Sequence, residues 1–504
     1  MQVETLRDII GHGARTYKEQ AAFRYKVKKE IVEKSYIDVD CDSMAVSRMV
    51  EGMGMKGKHI ALIGPTTYQW IVSYFGIVGS RSVAVPIDAQ LPAEAIFQLL
   101  NRADVEMVIF DELRADVAAG LRENCPGIKH AVSMQADRAA EGYRSLAELM
   151  ETYRGSYETE ISGDQLATIL FTSGTTGQSK GVMLSHRNLV DNAVCLDMKI
   201  PAGTVSMTLL PINHVYCLTM DIIKGLYIGL IICINDSIMH VQKNMKLFKP
   251  EIVLLVPLVI ESIYGKLRDA GSLIPKKMVA KAAFGGNLRV ICSGGAYLDP
   301  DYVDRFKEYG ITILQGYGMT ECSPVISTNL EWENKKGSVG KLLPNCEAKV
   351  VDEEIWVRGT SVMQGYYKMP EETAETLEDG WLKTGDLGYV DEDKFVYITG
   401  RRKNLIILAN GENVSPEELE NQLSRSELVK EVLVREKDKI IEAEIFPDYE
   451  YAKKKHIREE ALKGKLQELI DEFNKNMPVY KRIYSLIVRT AEFEKTPSKK
   501  IKRY

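Results

Sequence analysis

The stretch FTSGTTGQSKG, Phe171 to Gly181, packs three glycines, five hydroxyls and one lysine into eleven positions. Small residues at Ser173, Gly174, Thr175, Thr176 and Gly177 leave backbone amides open, while hydroxyls such as that of Thr172 and the Lys180 ammonium add donors and charge. Such groups suit oxyanions, above all phosphates. The loop is not of the Walker type, because Lys180 is followed by Gly181 and the glycine spacing is shorter. Strand-like ATIL precedes it and GVML follows, so it reads as a mobile hairpin over a nucleotide tail, with a helix starting only after Ser185. A second glycine pattern, GMGMKG at Gly52 to Gly57, satisfies G-x-G-x-x-G but stands before a strand. A dinucleotide fingerprint follows its strand, so GMGMKG reads as a helix-to-strand turn and a nicotinamide oxidoreductase is discounted.

The elements around the loop alternate. From HIALIG at His59, β-rich runs (SVAVPID, VEMVIFD) are separated by helical patterns (PTTYQWIVSYFGIVGS, LPAEAIFQLLNRAD), and the rhythm returns between Lys249 and Leu314. This is the pattern of an α/β fold built on parallel sheet. It predicts a large N-terminal body over 1–399, of two similar sheet lobes, in which apolar runs such as IVLLVPLVI at Ile252 to Ile260 form buried strands. Near residue 400 the texture shifts to a small α+β domain over 400–504, with a strand at EVLVRE and a charged helix from about Ile457 to Asn474. Ser415, Pro416 and Glu418 are spaced as an S-x-x-E capping box with proline at the first helical position.

The chain of 504 residues has 45% hydrophobic and 27% charged residues and a formal net charge of -5, a balance with no pull toward nucleic acid. The start lacks a basic segment followed by an apolar one, and no apolar run is long enough to span a bilayer. The basic C-terminal run KTPSKKIKRY leaves room for peripheral membrane contact. Eight cysteines are scattered without CxxC spacing, which fits reduced thiols in a cytoplasm and excludes a zinc or disulfide framework.

The loop resembles the phosphate-binding signature of the adenylate-forming superfamily of acyl-CoA synthetases, luciferases and peptide-synthetase adenylation domains. The resemblance recurs in order at LPINHVY (Leu210), SGGAYLDP (Ser293), QGYGMTE (Gln315), IWVRGTSVMQGYY (Ile355), WLKTGDLGY (Trp381), GRRKNLIILANGENVSPEELE (Gly400), NKNMPVYKRI and KTPSKKIKR. It is nearest to long-chain fatty acyl-CoA synthetases. It implies a large body with a mobile C-terminal domain, and joining of a carboxylic acid to ATP with magnesium, followed by acyl transfer to the thiol of CoA. An acyl-carrier protein as the acceptor is the alternative.

By the same resemblance, Tyr317 covers adenine with Gly318 beside it in the nucleotide site, Thr320 reaches the α-phosphate and Glu321 holds magnesium. Asp386 takes the ribose hydroxyls beside Arg401, and Lys403 is the hinge. Lys500 stands in the place of the catalytic lysine, with Lys499 where the family has glycine, so either could do the work. His214 matches the gate between nucleotide and acyl pocket. Val215 stands where amino-acid adenylating domains keep an aspartate, which would leave a substrate ammonium unpartnered and argues against amino acids. Gly294, Gly295 and Ala296 imply an open apolar channel for an aliphatic tail. The family also has a longer turn where this chain passes from Asp352 straight to Glu353 and Glu354.

Overall fold

The computed structural model describes residues 3–140, 142–172, 179–269, 274–408, 412–495 and 501–503. The chain divides into two compact units, Met1–Ala348 with Val357–Lys383 and Glu392–Phe395, and Lys349–Trp356 with Thr384–Asp391 and Val396–Tyr504.

In the larger unit two sheets of eight and nine strands are formed among the described residues. The first is centred on His59–Ile63, which pairs in parallel with Val83–Ile87 and Val105–Phe110. Ile60, Ala61, Leu62 and Ile63 are all fully buried, as expected of a parallel strand with both faces covered. At one end of this sheet Leu166–Thr172 and Lys180–Ser185 form an antiparallel pair, next to the short strand Gly365–Tyr366. The second sheet runs in parallel through Val205–Thr208, Ile252–Leu255, Val290–Ser293 and Thr312–Gly318. The apolar run from Ile252 is strand only as far as Leu255, and a helix, Pro257–Asp269, follows it. Pro257 explains the break: proline lacks a ladder donor but suits the first helical turn.

The smaller unit packs the helices Pro416–Leu423 and Glu459–Lys475 on a sheet of Val429–Lys437, Ile440–Pro447 and Ile483–Val488. Leu462, Leu466 and Ile470, spaced four apart, form the buried stripe of the longer helix. The shorter helix starts at Ser415 with Pro416 at its first position, but the expected capping box is not made. The Ser415 hydroxyl donates instead to the Thr399 carbonyl at 3.0 Å, and Glu418 accepts from Lys481. A tertiary acceptor has taken the hydroxyl that the local pattern assigned to the helix. Among the described residues no helix is long and apolar enough to cross a membrane.

Candidate active site

Phe171 pairs with Gly181 and Thr172 with Lys180, so the glycine-rich loop does connect two antiparallel strands. Ser173, Gly174, Thr175, Thr176 and Gly177 lie outside the described residues. At the exit of the loop Arg102 donates to the Ser179 carbonyl at 2.6 Å. The Lys180 ammonium stands 4.7 Å from the centre of the Tyr366 ring. The helix after the loop, His186–Val194, is capped by Ser185, whose hydroxyl accepts from the Asn188 N–H while Asn188 accepts from the Ser185 N–H.

Tyr317 and Gly318 end the strand Thr312–Gly318, and Thr320, Glu321 and Cys322 form one tight helical turn beyond it. Gly318 is required by close approach, since a Cβ there would lie 1.9 Å from the Pro324 carbonyl oxygen. The turn is held from below by Asn192, which accepts from the Val325 N–H at 3.1 Å and donates to the Val325 carbonyl at 2.8 Å. The Ser323 hydroxyl donates to the Ser361 carbonyl at 2.8 Å. Glu321 is held at both ends: its carbonyl accepts from the Met363 N–H at 2.9 Å, and its Oε1 accepts from the Tyr366 hydroxyl at 2.8 Å. An acceptor-only carboxylate on a braced turn, near a lysine, fits a hard cation travelling with phosphates.

His214 is exposed and Val215 is buried at the head of a helical segment whose part Cys217–Ile223 is wound as a π-helix. The Tyr216 ring packs where a side chain on Gly294 would go, 3.1 Å from its Cβ position. Gly295 and Ala296, beyond it, are exposed. Behind this wall Asp221 is buried beside the Cys217 thiol, and burial pushes its pKa up to about 8, the hydrogen bond with that thiol offsetting this only in part. Lys224, also buried, donates to the Ala193 and Leu196 carbonyls at 2.8 Å, and burial brings its pKa down to about 8.

In the smaller unit Asp386 is buried on a strand that pairs it with Arg401, whose Nε lies 3.0 Å from Oδ1. Lys403 follows in the turn Arg402–Asn404; burial and the neighbouring Arg401 cation push its pKa down. Asp352 and Glu353 both take left-handed backbone (φ 49 and 63), which makes the shortened link a two-residue hairpin turn. The turn delivers Glu354, buried, to accept from Arg402 Nη1 at 2.6 Å and the Gly385 N–H at 2.8 Å. Lys499 and Lys500 lie outside the described residues. Beyond them Arg503 forks onto Glu420, and Ile501 bridges to Lys495.

The structure thus brings Lys180 and Glu321 to one tyrosine, and Asp386 to Arg401. Sequence reasoning missed Tyr366, Asn192, Glu354, Asp221 and Glu420. Tyr366 lay inside a quoted motif, GYY, without a role. Asn192, Glu354 and Glu420 carry no local signal, because their partners stand far along the chain, as with Asn192 and Ser361, 169 positions apart.

Residues 11–367 match the model of a family described as AMP-binding enzyme, and residues 403–504 match that of an AMP-binding enzyme C-terminal domain. The chain is 29% identical over 470 residues to the long-chain-fatty-acid–CoA ligase FadD15 of Mycobacterium bovis, covering 81% of this chain and 77% of that one. It is 28% identical over 479 residues to the long-chain-fatty-acid–CoA ligase of Bacillus subtilis, covering 86% and 82%. Among solved structures, the anthranilate CoA ligase AuaEII in complex with anthranoyl-AMP superposes with a TM-score of 0.86 at 22% identity, over 99% of this chain and 96% of that one. The motifs, the fold and the matched family models agree: this chain belongs to the AMP-binding enzyme family and has the adenylate-forming fold.

Proposed function

We propose that the chain activates a carboxylic acid with ATP and passes the acyl group to the thiol of CoA, acting in the cytoplasm, and that its acid is a medium- or long-chain fatty acid. The observation that carries this reading is the meeting of Lys180, from the phosphate-type loop, and Glu321, from GYGMTE, on the two groups of Tyr366. A fatty acid is favoured by the names of the relatives above and by the apolar Val215.

In the first half-reaction a carboxylate oxygen attacks the α-phosphorus, the α–β anhydride bond breaks and pyrophosphate leaves. Lys180 and the loop from Thr172 to Gly177 hold the departing phosphates. Thr320 reaches the α-phosphate, Tyr317 covers adenine with Gly318 beside it, and Asp386 with Arg401 takes the ribose. Glu321 would hold magnesium, which would supply charge neutralisation to the phosphates. His214 gates the acyl pocket, which Val215, Gly294, Gly295 and Ala296 line. A C-terminal domain over 400–504, turning about Lys403 against the body over 1–399, delivers the cation of Lys500 and then withdraws it. In the second half-reaction the CoA sulfur attacks the acyl carbon, the thioester forms and AMP leaves.

The test is magnesium-dependent pyrophosphate release across a panel of straight-chain acids, run with CoA and, in parallel, with hydroxylamine. Turnover with CoA supports the reading and ranks the chain lengths. Release with hydroxylamine alone replaces CoA by a carrier-protein thiol, and release with neither overturns the proposal.

A further inference from the structure

We infer that Tyr366 is a positioning residue for adenylation, its hydroxyl orienting Glu321 and its ring face seating the Lys180 ammonium. The inference rests on the reading that these two groups face the magnesium and phosphates of ATP. Tyr366 is itself fixed on several sides. It pairs with Val182 in the strand that follows the loop, and its N–H donates to the Thr373 hydroxyl at 2.9 Å. Its neighbours lace the same two elements together. The Met363 N–H donates to the Glu321 carbonyl at 2.9 Å, Gln364 N–H to the Met183 carbonyl at 2.9 Å and Tyr367 N–H to the Gly181 carbonyl at 2.8 Å.

The ring is 5% exposed, so it offers a desolvated face to a cation. Its hydroxyl is one atom from that ring and reaches Glu321 Oε1 at 2.8 Å, a hydrogen bond to a charged acceptor. The carboxylate has no hydrogen of its own, so the phenol is the donor of this pair. One side chain therefore sets the direction of an anion and the height of a cation, and the two functions reside on different atoms. They can be removed separately.

The experiment compares Tyr366→Phe, which keeps the ring, with Tyr366→Leu, which loses both functions. Three quantities are read: kcat for pyrophosphate release, the magnesium concentration for half-maximal rate, and the calorimetric Kd for MgATP without acid. Tyr366→Phe is expected to lower kcat about 10- to 100-fold and to raise the magnesium requirement, because a hydrogen bond to a charged group is lost, with Kd for MgATP changed less than about 3-fold. Tyr366→Leu is expected to weaken MgATP by a further factor of roughly 5 to 10. A merely structural tyrosine would lower the thermal midpoint of both variants and leave the folded fraction with wild-type kcat, magnesium requirement and Kd. That result overturns the inference while the wild type still turns over. A wild type that releases no pyrophosphate with any acid overturns the inference and the proposed function together.

Discussion

Two stretches of the larger unit treat buried polar groups in opposite ways. In the turn after Thr312–Gly318, Asn192, Ser323 and Glu321 each meet named partners at 2.8 to 3.1 Å. In the π-helical segment Cys217–Ile223, the hydroxyl of Thr219 is buried with no hydrogen-bond partner, and the carboxyl of Asp221 is buried with a weak thiol donor, Cys217, beside it. The first arrangement is preorganised, so charge arriving there needs no rearrangement of the protein. The second stores a cost, because a buried carboxyl with a weak thiol as donor stays protonated until the pH is high. The difference separates the turn to which adenylation chemistry is assigned in the proposed function from a wall with a different local environment.

The largest expected effect lies on the less satisfied side. The folded pKa of Asp221, about 8, stands above its ordinary 3.8, so the folded state binds the extra proton between those values. Its contribution to stability is therefore full below pH 3.8 and is lost as pH rises toward 8, by roughly 6 kcal/mol at most. The groups acting with it, Cys217, Tyr216 and Cys292, have raised pKa values and remain neutral across this window. Denaturant titrations of wild type and Asp221→Asn at several pH values check this: the wild type should lose stability relative to the variant as pH rises. Parallel curves would erase the contrast between the two stretches.

On the satisfied side, Glu321→Gln should cut pyrophosphate release by about 100- to 1000-fold, because under the proposed function it removes a charged ligand for magnesium, while the thermal midpoint changes little. Initial rates at saturating ATP measure this, and a loss below tenfold would move the metal elsewhere. The smallest effect is expected for Asn192→Ala. It strands the Val325 N–H and should cost about 2 kcal/mol in urea unfolding, with adenylation falling more than the thiol step. An unchanged ratio of the two half-reactions would make Asn192 a fold residue only.

The same contrast governs what could be read from the sequence. The loop, GYGMTE and TGD could be singled out because the chemistry proposed for them calls for residue types that stand side by side in the chain. The alternation of strands and helices was legible for the same local reason, through HIALIG and VEMVIFD. What failed was decided by partners distant in sequence. Ser415 turned to Thr399 instead of capping its helix, and the shortened hairpin at Asp352 and Glu353 was legible while the role of Glu354, which it brings to Arg402, was not. Asp221 and Asn192 are single polar residues in helical stretches, with nothing nearby to tell a weakly partnered side chain from a fully bonded one.

The central claim is that acid and ATP react to an acyl-adenylate before any thiol is needed. Exchange of labelled pyrophosphate into ATP tests it most directly, with acid present and CoA absent. The account predicts exchange that needs both acid and magnesium, proceeds without CoA and falls with Glu321→Gln. Exchange that requires CoA, or ATP cleavage that yields ADP and phosphate, would contradict it.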